Sequence, residues 1–266
     1  MFRKKTPKLG QHLLTSRAIA QAVVNAGEVG KGDTVVEIGP GKGMLTRELI
    51  ATGAQVIAIE KDPEMIAVLS DFFSNEISDG TLSVYQGDAR DMLTETPFPF
   101  KAPYKIIANI PYYITGELLR LFLTAPVQPT DISLLVQKEV AERIARAQKE
   151  SLLSLSVKAF GEPQYVRTVK AGSFNPPPNV DSAILAVHGI SRDIFSKNKE
   201  KLFFELLHAG FGQKRKTLLG NLKRSGITEH ATLEDIWAQL NLDVNVRAED
   251  VPLTTWIAIA EIIKND

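Results

Sequence analysis

The chain has 266 residues, of which 44% are hydrophobic, and its 31 basic side chains are balanced by 31 acidic ones. This composition is typical of a globular protein with one large domain, or a large and a small one. The absence of cysteine excludes disulfides, thiolate zinc sites and thiol nucleophiles, and the four histidines lack the spacing of paired ligands, so we expect no protein metal site.

Neither a membrane segment nor a secretion signal is expected. No apolar run reaches the roughly 18 residues of a membrane helix, and the basic N-terminus leads into no apolar stretch. We therefore expect a cytoplasmic protein without membrane contact, and we take a monomer as the default.

The balanced charge is unevenly distributed along the chain. One acid-free basic stretch precedes Glu28, and a second runs from Gly212 to Gly226. Either stretch alone fits a solvated surface as well as it fits a binding surface. Two such stretches favour contact with a polyanion such as RNA, whose phosphates lysine and arginine neutralise. The candidate RNA-binding residues are Lys4, Lys5, Lys214, Arg215, Lys216, Lys223 and Arg224.

Predicted strands and helices alternate through the first two thirds of the chain. A helix at 15–27, which Thr15 or Ser16 caps, precedes strands at 34–38, 55–59, 82–85, 105–110 and 132–136, with further strands at 164–171 and 182–188. Between the strands, amphipathic patterns predict helices at 43–52, 62–74, 115–124 and 138–148. This alternation indicates an α/β fold with a mostly parallel sheet, whose ligands bind at the carboxyl ends of the strands.

After His188 only helices are predicted, at 199–210, 214–225, 232–240 and 254–264. We place a boundary in the polar segment 189–198. The predicted domains are therefore 1–190, with a basic N-terminal arm, and a small helical domain at 191–266.

A glycine-rich loop follows the first predicted strand of the sheet. The sequence VVEIGPGKGMLT (35–46) places Gly39, Gly41 and Gly43 between a strand and a helix, where the backbone can turn tightly against a ligand. The spacing differs from the dinucleotide pattern G-x-G-x-x-G. It is similar to the nucleoside-binding loop of methyltransferases that use S-adenosylmethionine, although a loop of this kind alone also fits a simple tight turn.

Acidic residues end the next two strands. Glu60 follows Gly41 by 19 residues, at a position where a carboxylate can accept hydrogen bonds from both ribose hydroxyls. Asp88, in GDAR (87–90), can accept a hydrogen bond from the amine of an adenine ring, and alone it is equally typical of a helix cap. Three such elements in consecutive strand-to-helix turns are much stronger evidence for a bound nucleoside than any one of them.

The stretch NIPYYI (109–114) has the chemistry needed to methylate an aromatic amine, whose lone pair is delocalised into the ring. The side-chain oxygen of Asn109 and a main-chain carbonyl next to Pro111 can accept both amine hydrogens, so that the lone pair points at the methyl group. No strong general base is needed. Tyr112 provides a ring face on which a base can stack. We assign no role to Tyr113 and expect it to pack beneath the pocket.

A second aromatic wall is expected on the loop FNPPPNVDSA (174–183). A base that has left its stack needs an enclosing pocket, and three consecutive prolines stiffen this loop. We predict that Phe174 faces Tyr112 across the pocket. A structural proline turn before the strand at 182–188 is compatible with this prediction.

Six sequence blocks together resemble the KsgA family of ribosomal RNA adenine dimethyltransferases. In chain order they read LGQHLL (9–14), EIGPGKGMLT (37–46), GDAR (87–90), NIPYYI (109–114), FNPPPNVDSA (174–183) and FGQKRKTLLGNL (211–222). The first four also resemble the related Erm methyltransferases, which modify an adenine of large-subunit RNA, whereas the last favours KsgA. The segment at 147–155 lacks the glycine and the Tyr-Gly pair that are usual in the family.

The resemblance implies a Rossmann-like methyltransferase that uses S-adenosylmethionine and has a small all-α C-terminal domain. Its implied substrate is 16S rRNA in the small ribosomal subunit, where two adjacent adenosines of the 3′-terminal hairpin are each dimethylated late in subunit assembly. The implied cofactor contacts are His12, Leu14, Gly39, Glu60, Asp88 and Asn109. Alternatives are an Erm-like enzyme acting on 23S rRNA, a DNA adenine methyltransferase, and a non-catalytic RNA-binding assembly or transcription factor.

Overall fold

The structure is a computed structural model that describes residues 12–92, 103–196 and 199–263. The chain forms two compact units. The first comprises the described residues up to Glu142 together with Glu162–Ile190, and the second comprises Arg143–Gly161 and the described residues from Ser191 onward. The predicted division into 1–190 and 191–266 differs from this arrangement in residues 143–161, which the sequence placed with the first domain.

The described residues of the first unit form nine strands, seven of which make up one sheet and two of which pair separately. The strands are β1 (Leu13–Leu14), β2 (Thr34–Ile38), β3 (Gln55–Glu60), β4 (Leu82–Gln86), β5 (Lys105–Asn109), β6 (Asp131–Gln137), β7 (Glu162–Val169), β8 (Phe174–Asn175) and β9 (Ser182–His188). The order in the large sheet is β4-β3-β2-β5-β6-β9-β7, and β1 pairs separately with β8. Pairing is parallel from β4 to β6, and β9 is antiparallel to both β6 and β7. The structure thus confirms the predicted α/β fold.

The strand order reverses between β2 and β5. From β2 the chain continues to β3 and β4 on one side, and then returns to place β5 on the other side. In open α/β sheets such a switch point leaves a crevice at the carboxyl ends of the strands, where ligands bind. The glycine loop follows β2, and the segment 109–114 begins at the end of β5.

Helices cover the sheet and form the second unit. They are α1 (Arg17–Ala26), α2 (Met44–Ala51), α3 (Pro63–Phe72), α4 (Ser74–Ser78), α5 (Ala89–Met92), α6 (Thr115–Thr124), α7 (Lys138–Ala145), α8 (Leu152–Lys158), α9 (Lys199–Gly210), α10 (Leu218–Ser225), α11 (His230–Gln239) and α12 (Leu253–Ile262). The Asp62 side chain accepts a hydrogen bond from the Glu64 N–H and caps α3, in which Pro63 is the first residue. No described helix is both long and apolar enough to cross a membrane.

The core of the first unit consists of apolar strands that are buried on both faces. Strands β2, β5, β6 and β9 carry runs of fully buried valine, isoleucine, leucine and alanine, which is why each reads as a continuous apolar run. Helix α1 adds Ile19, Ala20, Val23 and Val24 to this core. The buried Ser133 hydroxyl is satisfied because it donates to the Val23 carbonyl, 2.8 Å away.

The second unit has its own apolar core, built mainly from α9 to α12. Phe203, Trp237 and Trp256 are among its buried residues, and Leu155 from α8 belongs to the same cluster. Helix α8 begins with a capping box, in which Ser151 and Ser154 each bind the other's backbone N–H. The segment at 147–155 therefore contains the start of a capped helix, for which we had predicted no element.

Candidate active site

A cavity of about 630 Å³ opens at the carboxyl ends of β2, β3, β4 and β5. Its wall contains one or more residues from the end of each of these strands and from the segment before β1. These include His12, Leu13, Gly39, Gly41, Glu60, Asp88, Asn109, Pro111 and Tyr112. The structure thus brings together most of the side chains that were predicted to form the site, although they are spread over about 100 positions of the sequence.

The glycine loop requires glycine for two reasons. Gly39 and Gly41 have φ angles of +65° and +57°, in the left-handed region that other residues rarely adopt. A Cβ atom on Gly41 would also lie 2.8 Å from the Leu13 Cδ2 atom. A larger residue at position 41 would therefore require the Leu13 side chain or the loop itself to shift.

Backbone N–H groups hold the Glu60 carboxylate in place. Its Oε1 accepts hydrogen bonds from the Lys61 and Asp62 N–H groups, each at 2.8 Å, and its Oε2 accepts one from the Gly41 N–H at 3.2 Å. A carboxylate has about four acceptor positions. The three backbone N–H groups use three of these acceptor positions, so one remains to accept a hydrogen bond from a ligand hydroxyl.

Asp88 is engaged by a guanidinium group that our sequence reasoning missed. The Arg90 Nε donates to Oδ1 at 2.9 Å and Nη2 donates to Oδ2 at 2.6 Å, while Lys61 Nζ lies 3.1 Å from Oδ2. Mainly because of the Arg90 hydrogen bond, the pKa of Asp88 lies well below its usual range. Asp88 is therefore a permanent carboxylate, but an adenine amine would have to share it with Arg90.

Glu37, near the end of β2 and just before the glycine loop, is a fully buried carboxyl. The Thr46 hydroxyl donates to its Oε2 at 2.6 Å, whereas its Oε1 has no hydrogen-bond partner among the described residues. Burial raises the pKa of Glu37 to about 8. Glu37 lines a second cavity of about 200 Å³, which shares Leu13, Gly39 and Asn109 with the larger one, so that the two are adjacent parts of one site.

The end of β5 presents two acceptors to the cavity. The Asn109 Nδ2 donates to the His12 carbonyl at 2.8 Å, which fixes the amide and leaves Oδ1 without a hydrogen-bond partner in the described part of the chain. Of the carbonyls on either side of the proline ring, that of Pro111 accepts from the Ile114 N–H at 3.2 Å. The Ile110 carbonyl is therefore the candidate for the second acceptor next to Pro111.

Tyr112 is held at both its hydroxyl and its ring. The hydroxyl lies 2.5 Å from the Ser182 Oγ, and the ring stacks against the His12 ring with centroids 5.7 Å apart and planes inclined by 26°. The Nδ1 of His12 must carry a hydrogen, because it lies 2.8 Å from the Pro176 carbonyl, which can only accept. Burial raises the pKa of Tyr112, so its hydroxyl stays protonated at neutral pH.

Phe174 and Leu14 are not part of the wall of the large cavity, and the predicted opposition of Phe174 and Tyr112 is not observed. Phe174 is 3% exposed and pairs with Leu14 across β1 and β8, where both side chains belong to the apolar core. Because successive side chains of a strand point to opposite faces, Leu13 rather than Leu14 faces the large cavity. The aromatic ring that does lie against Tyr112 is that of His12.

The first part of the second basic stretch forms an exposed loop between α9 and α10, and the rest belongs to α10. Lys214, Arg215 and Lys216 are exposed, and the buried Asn221 side chain supports the loop by donating to the Gly210 and Gln213 carbonyls at 2.6 and 3.1 Å. Arg224 is also exposed. Lys223 forms an ion pair with Glu234, and the predicted contacts Lys4 and Lys5 lie outside the described residues.

Comparisons with known proteins agree with this geometry. Residues 2–265 match the family model for ribosomal RNA adenine dimethylase. A "Ribosomal RNA small subunit methyltransferase A" of Dehalococcoides mccartyi is 38% identical over 93% of this chain and 84% of its own length. A crystal structure of a dimethyladenosine transferase from Plasmodium falciparum has a TM-score of 0.77 and 29% identity, over 93% of this chain and 96% of that one. The 23S rRNA methyltransferase ErmE, with a TM-score of 0.75, 23% identity and coverage of 94% and 98%, shows the same fold.

Proposed function

Because the chain belongs to the ribosomal RNA adenine dimethylase family, we propose that it transfers methyl groups from S-adenosylmethionine to adenine amines of small-subunit ribosomal RNA. The proposed targets are two adjacent adenosines in the 3′-terminal hairpin of 16S rRNA, each of which receives two methyl groups. With this substrate, the enzyme would act in the cytoplasm, as a monomer, late in small-subunit assembly.

The acceptors of the site match the donors of this cofactor. Glu60 has a free acceptor position for a ribose hydroxyl, and Asp88 is a carboxylate at the edge of the same cavity for the adenine amine. In the adjoining cavity, the buried Oε1 of Glu37, which has no partner among the described residues, would be satisfied by the ammonium group of the methionine part. When bound, S-adenosylmethionine supplies a methyl group from a sulfonium, whose sulfur keeps the bonding electrons.

The observation that carries the proposal is the orientation of Asn109. Its Nδ2 is committed to the His12 carbonyl, so its Oδ1 is available to accept one hydrogen of the target amine, and the Ile110 carbonyl is available for the other. Two acceptors aim the nitrogen lone pair without removing a proton in advance. Once the nitrogen has gained the methyl group it becomes acidic, and its proton can pass to water. The Tyr112 ring stacks on the base.

Transfer of a tritium-labelled methyl group tests the proposal. Small subunits from cells that lack the dimethylation should accept label at two adjacent adenosines, and the modified bases can be mapped in the recovered RNA. Asn109→Ala should abolish measurable transfer, because an acceptor for the target amine is lost, whereas Asn25→Ala, at an exposed position of α1 outside the cavity, should have no effect. Label on large-subunit RNA instead would favour an Erm-like enzyme, and binding to small subunits without any transfer would favour a non-catalytic assembly factor.

A further inference from the structure

Tyr113 is the most exposed large hydrophobic side chain in the described part of the chain. It is 76% exposed, yet it belongs to the wall of the cavity that contains Glu60, Asn109 and Tyr112. A side chain with both properties must lie at the mouth of the cavity. The expectation that Tyr113 packs beneath the pocket is therefore wrong.

The backbone on both sides of Tyr113 is fixed. Tyr113 is the middle residue of a 3-10 turn, Tyr112–Ile114, which the hydrogen bond from the Ile114 N–H to the Pro111 carbonyl closes. The Tyr112 hydroxyl is bound to Ser182, and the buried Thr115 begins α6 directly after the turn. A ring on such a turn loses little conformational freedom when it binds a partner.

No described residue covers the Tyr113 ring or forms a hydrogen bond with its hydroxyl. An aromatic ring that remains in water gives up the favourable free energy of burying its apolar surface. Scattered exposed apolar side chains are ordinary on protein surfaces, and Phe72, at 64% exposure, lies outside the cavity. The position of Tyr113 at the mouth of the site distinguishes it from Phe72.

Tyr112 and Tyr113 cannot stack on the same base. A 3-10 helix has about three residues per turn, so neighbouring side chains point about 120° apart. This agrees with the half-buried Tyr112 ring and the exposed Tyr113 ring. The two rings therefore present separate stacking surfaces, one inside the cavity and one at its mouth.

We propose that Tyr113 is the stacking platform for the nucleotide next to the target adenosine. This inference rests on the proposed function. When a target base leaves its stack to enter the cavity, the neighbouring base loses a stacking partner. An aromatic side chain at the mouth replaces that partner and accepts any base, because every base has a π-face. Tyr113 would thereby lower the free-energy cost of extruding the target and would bind a second nucleotide without taking part in methyl transfer.

A fluorescent base analogue tests this role. A short RNA hairpin with two adjacent adenosines carries 2-aminopurine on the 5′ or the 3′ side of the target, since the fluorescence of this base is quenched when it is stacked. With the native chain, one of the two positions should remain quenched in the complex. Tyr113→Ala and Tyr113→Leu should release that quenching and weaken RNA binding by about 5- to 100-fold, whereas Tyr113→Phe should behave like the native chain.

Controls separate this inference from the proposed function. Phe72→Ala removes an aromatic side chain of similar exposure outside the cavity and should change neither fluorescence nor affinity. The cofactor dissociation constant should stay within about twofold in all variants. If the native chain methylates small-subunit RNA but Tyr113→Ala binds and quenches as the native chain does, the Tyr113 platform is refuted alone. If the native chain neither binds nor methylates the RNA of small subunits, both proposals are overturned.

Discussion

Replacing Glu37 with glutamine should change how the stability of the protein depends on pH. The Glu37 side chain is 0% exposed, and only one of its two oxygens has a hydrogen-bond partner among the described residues. Burial raises its pKa from an ordinary value of 4.5 to about 8. Glutamine has nearly the same shape, but it does not titrate, so Glu37→Gln removes the titration while it keeps the volume.

The sign of the effect follows from the raised pKa of Glu37. Between about pH 4.5 and 8, the folded state keeps a proton that the unfolded state has lost. The free energy of unfolding therefore falls as the pH rises through this window, by up to about 1.4 kcal/mol per pH unit. From pH 5 to pH 7, the native chain should lose about 1–3 kcal/mol relative to the variant. Below the unfolded pKa the two curves should run parallel.

Urea denaturation followed by circular dichroism at several pH values measures this difference. In the Glu37→Gln variant, a buried amide N–H₂ group without a partner would lower the free energy of unfolding by about 1–3 kcal/mol. The free energy of unfolding of the variant at any single pH is therefore not diagnostic. Every other group titrates alike in both proteins. The pH dependence of the difference in free energy of unfolding between the variant and the native chain therefore reports on Glu37 alone. Glu48→Gln is the control: it removes a buried carboxylate that is paired with Arg17 at 2.7 Å, and it should lower the free energy of unfolding because that ion pair is lost. Parallel curves for Glu37→Gln and the native chain from pH 5 to 8 would refute the reasoning.

Three further predictions test the stacking ring, the cofactor acceptor and the basic loop separately. Tyr112→Ala should lower kcat/KM about 5- to 100-fold with little change in cofactor affinity, because a stacking surface is lost. Glu60→Ala should instead weaken cofactor binding about 10- to 100-fold in calorimetry, since a charged acceptor is lost. Equal losses of both quantities in either variant would contradict these roles. Replacing Lys214, Arg215 and Lys216 together with alanine should reduce the salt dependence of RNA binding by about two in log–log slope; an unchanged slope would exclude them as phosphate contacts.

The sheet could be predicted closely because its strands are buried on both faces. Such strands read as uninterrupted apolar runs, and the predicted and observed bounds of β2 agree at 34–38. Helix α3 could be predicted from the Asp62-Pro63 pair, whose capping role is local. Helix α10 was predicted to begin at 214, since lysine and arginine favour helices, but the helix begins at Leu218, because the Thr217 side chain caps it.

The polar residues of the site could also be found in the sequence, because each ends a parallel strand. Residues at the carboxyl ends of neighbouring strands meet at one edge of the sheet, so Glu60, Asp88 and Asn109 lie on one cavity. The arrangement around Asp88 could not be found in this way. The Arg90 fork depends on a side-chain conformation two residues away, and a sequence shows only that an arginine is present. Phe174 was misplaced because its two-residue strand is too short to show which side chains face the core.

The His12 ring lies against one face of the Tyr112 ring, so an incoming base would stack on the opposite face. The hydrogen bond to Ser182 holds the phenol hydroxyl in place. His12 is itself held by the Pro176 carbonyl, and its own carbonyl fixes the amide of Asn109. One residue thus orients both the stacking ring and the acceptor that we propose for the target amine. The segment before β1 therefore positions the proposed acceptor of the target amine as well as residues on the proposed cofactor side. This link could not be predicted from the sequence, because His12 and Asn109 are 97 residues apart.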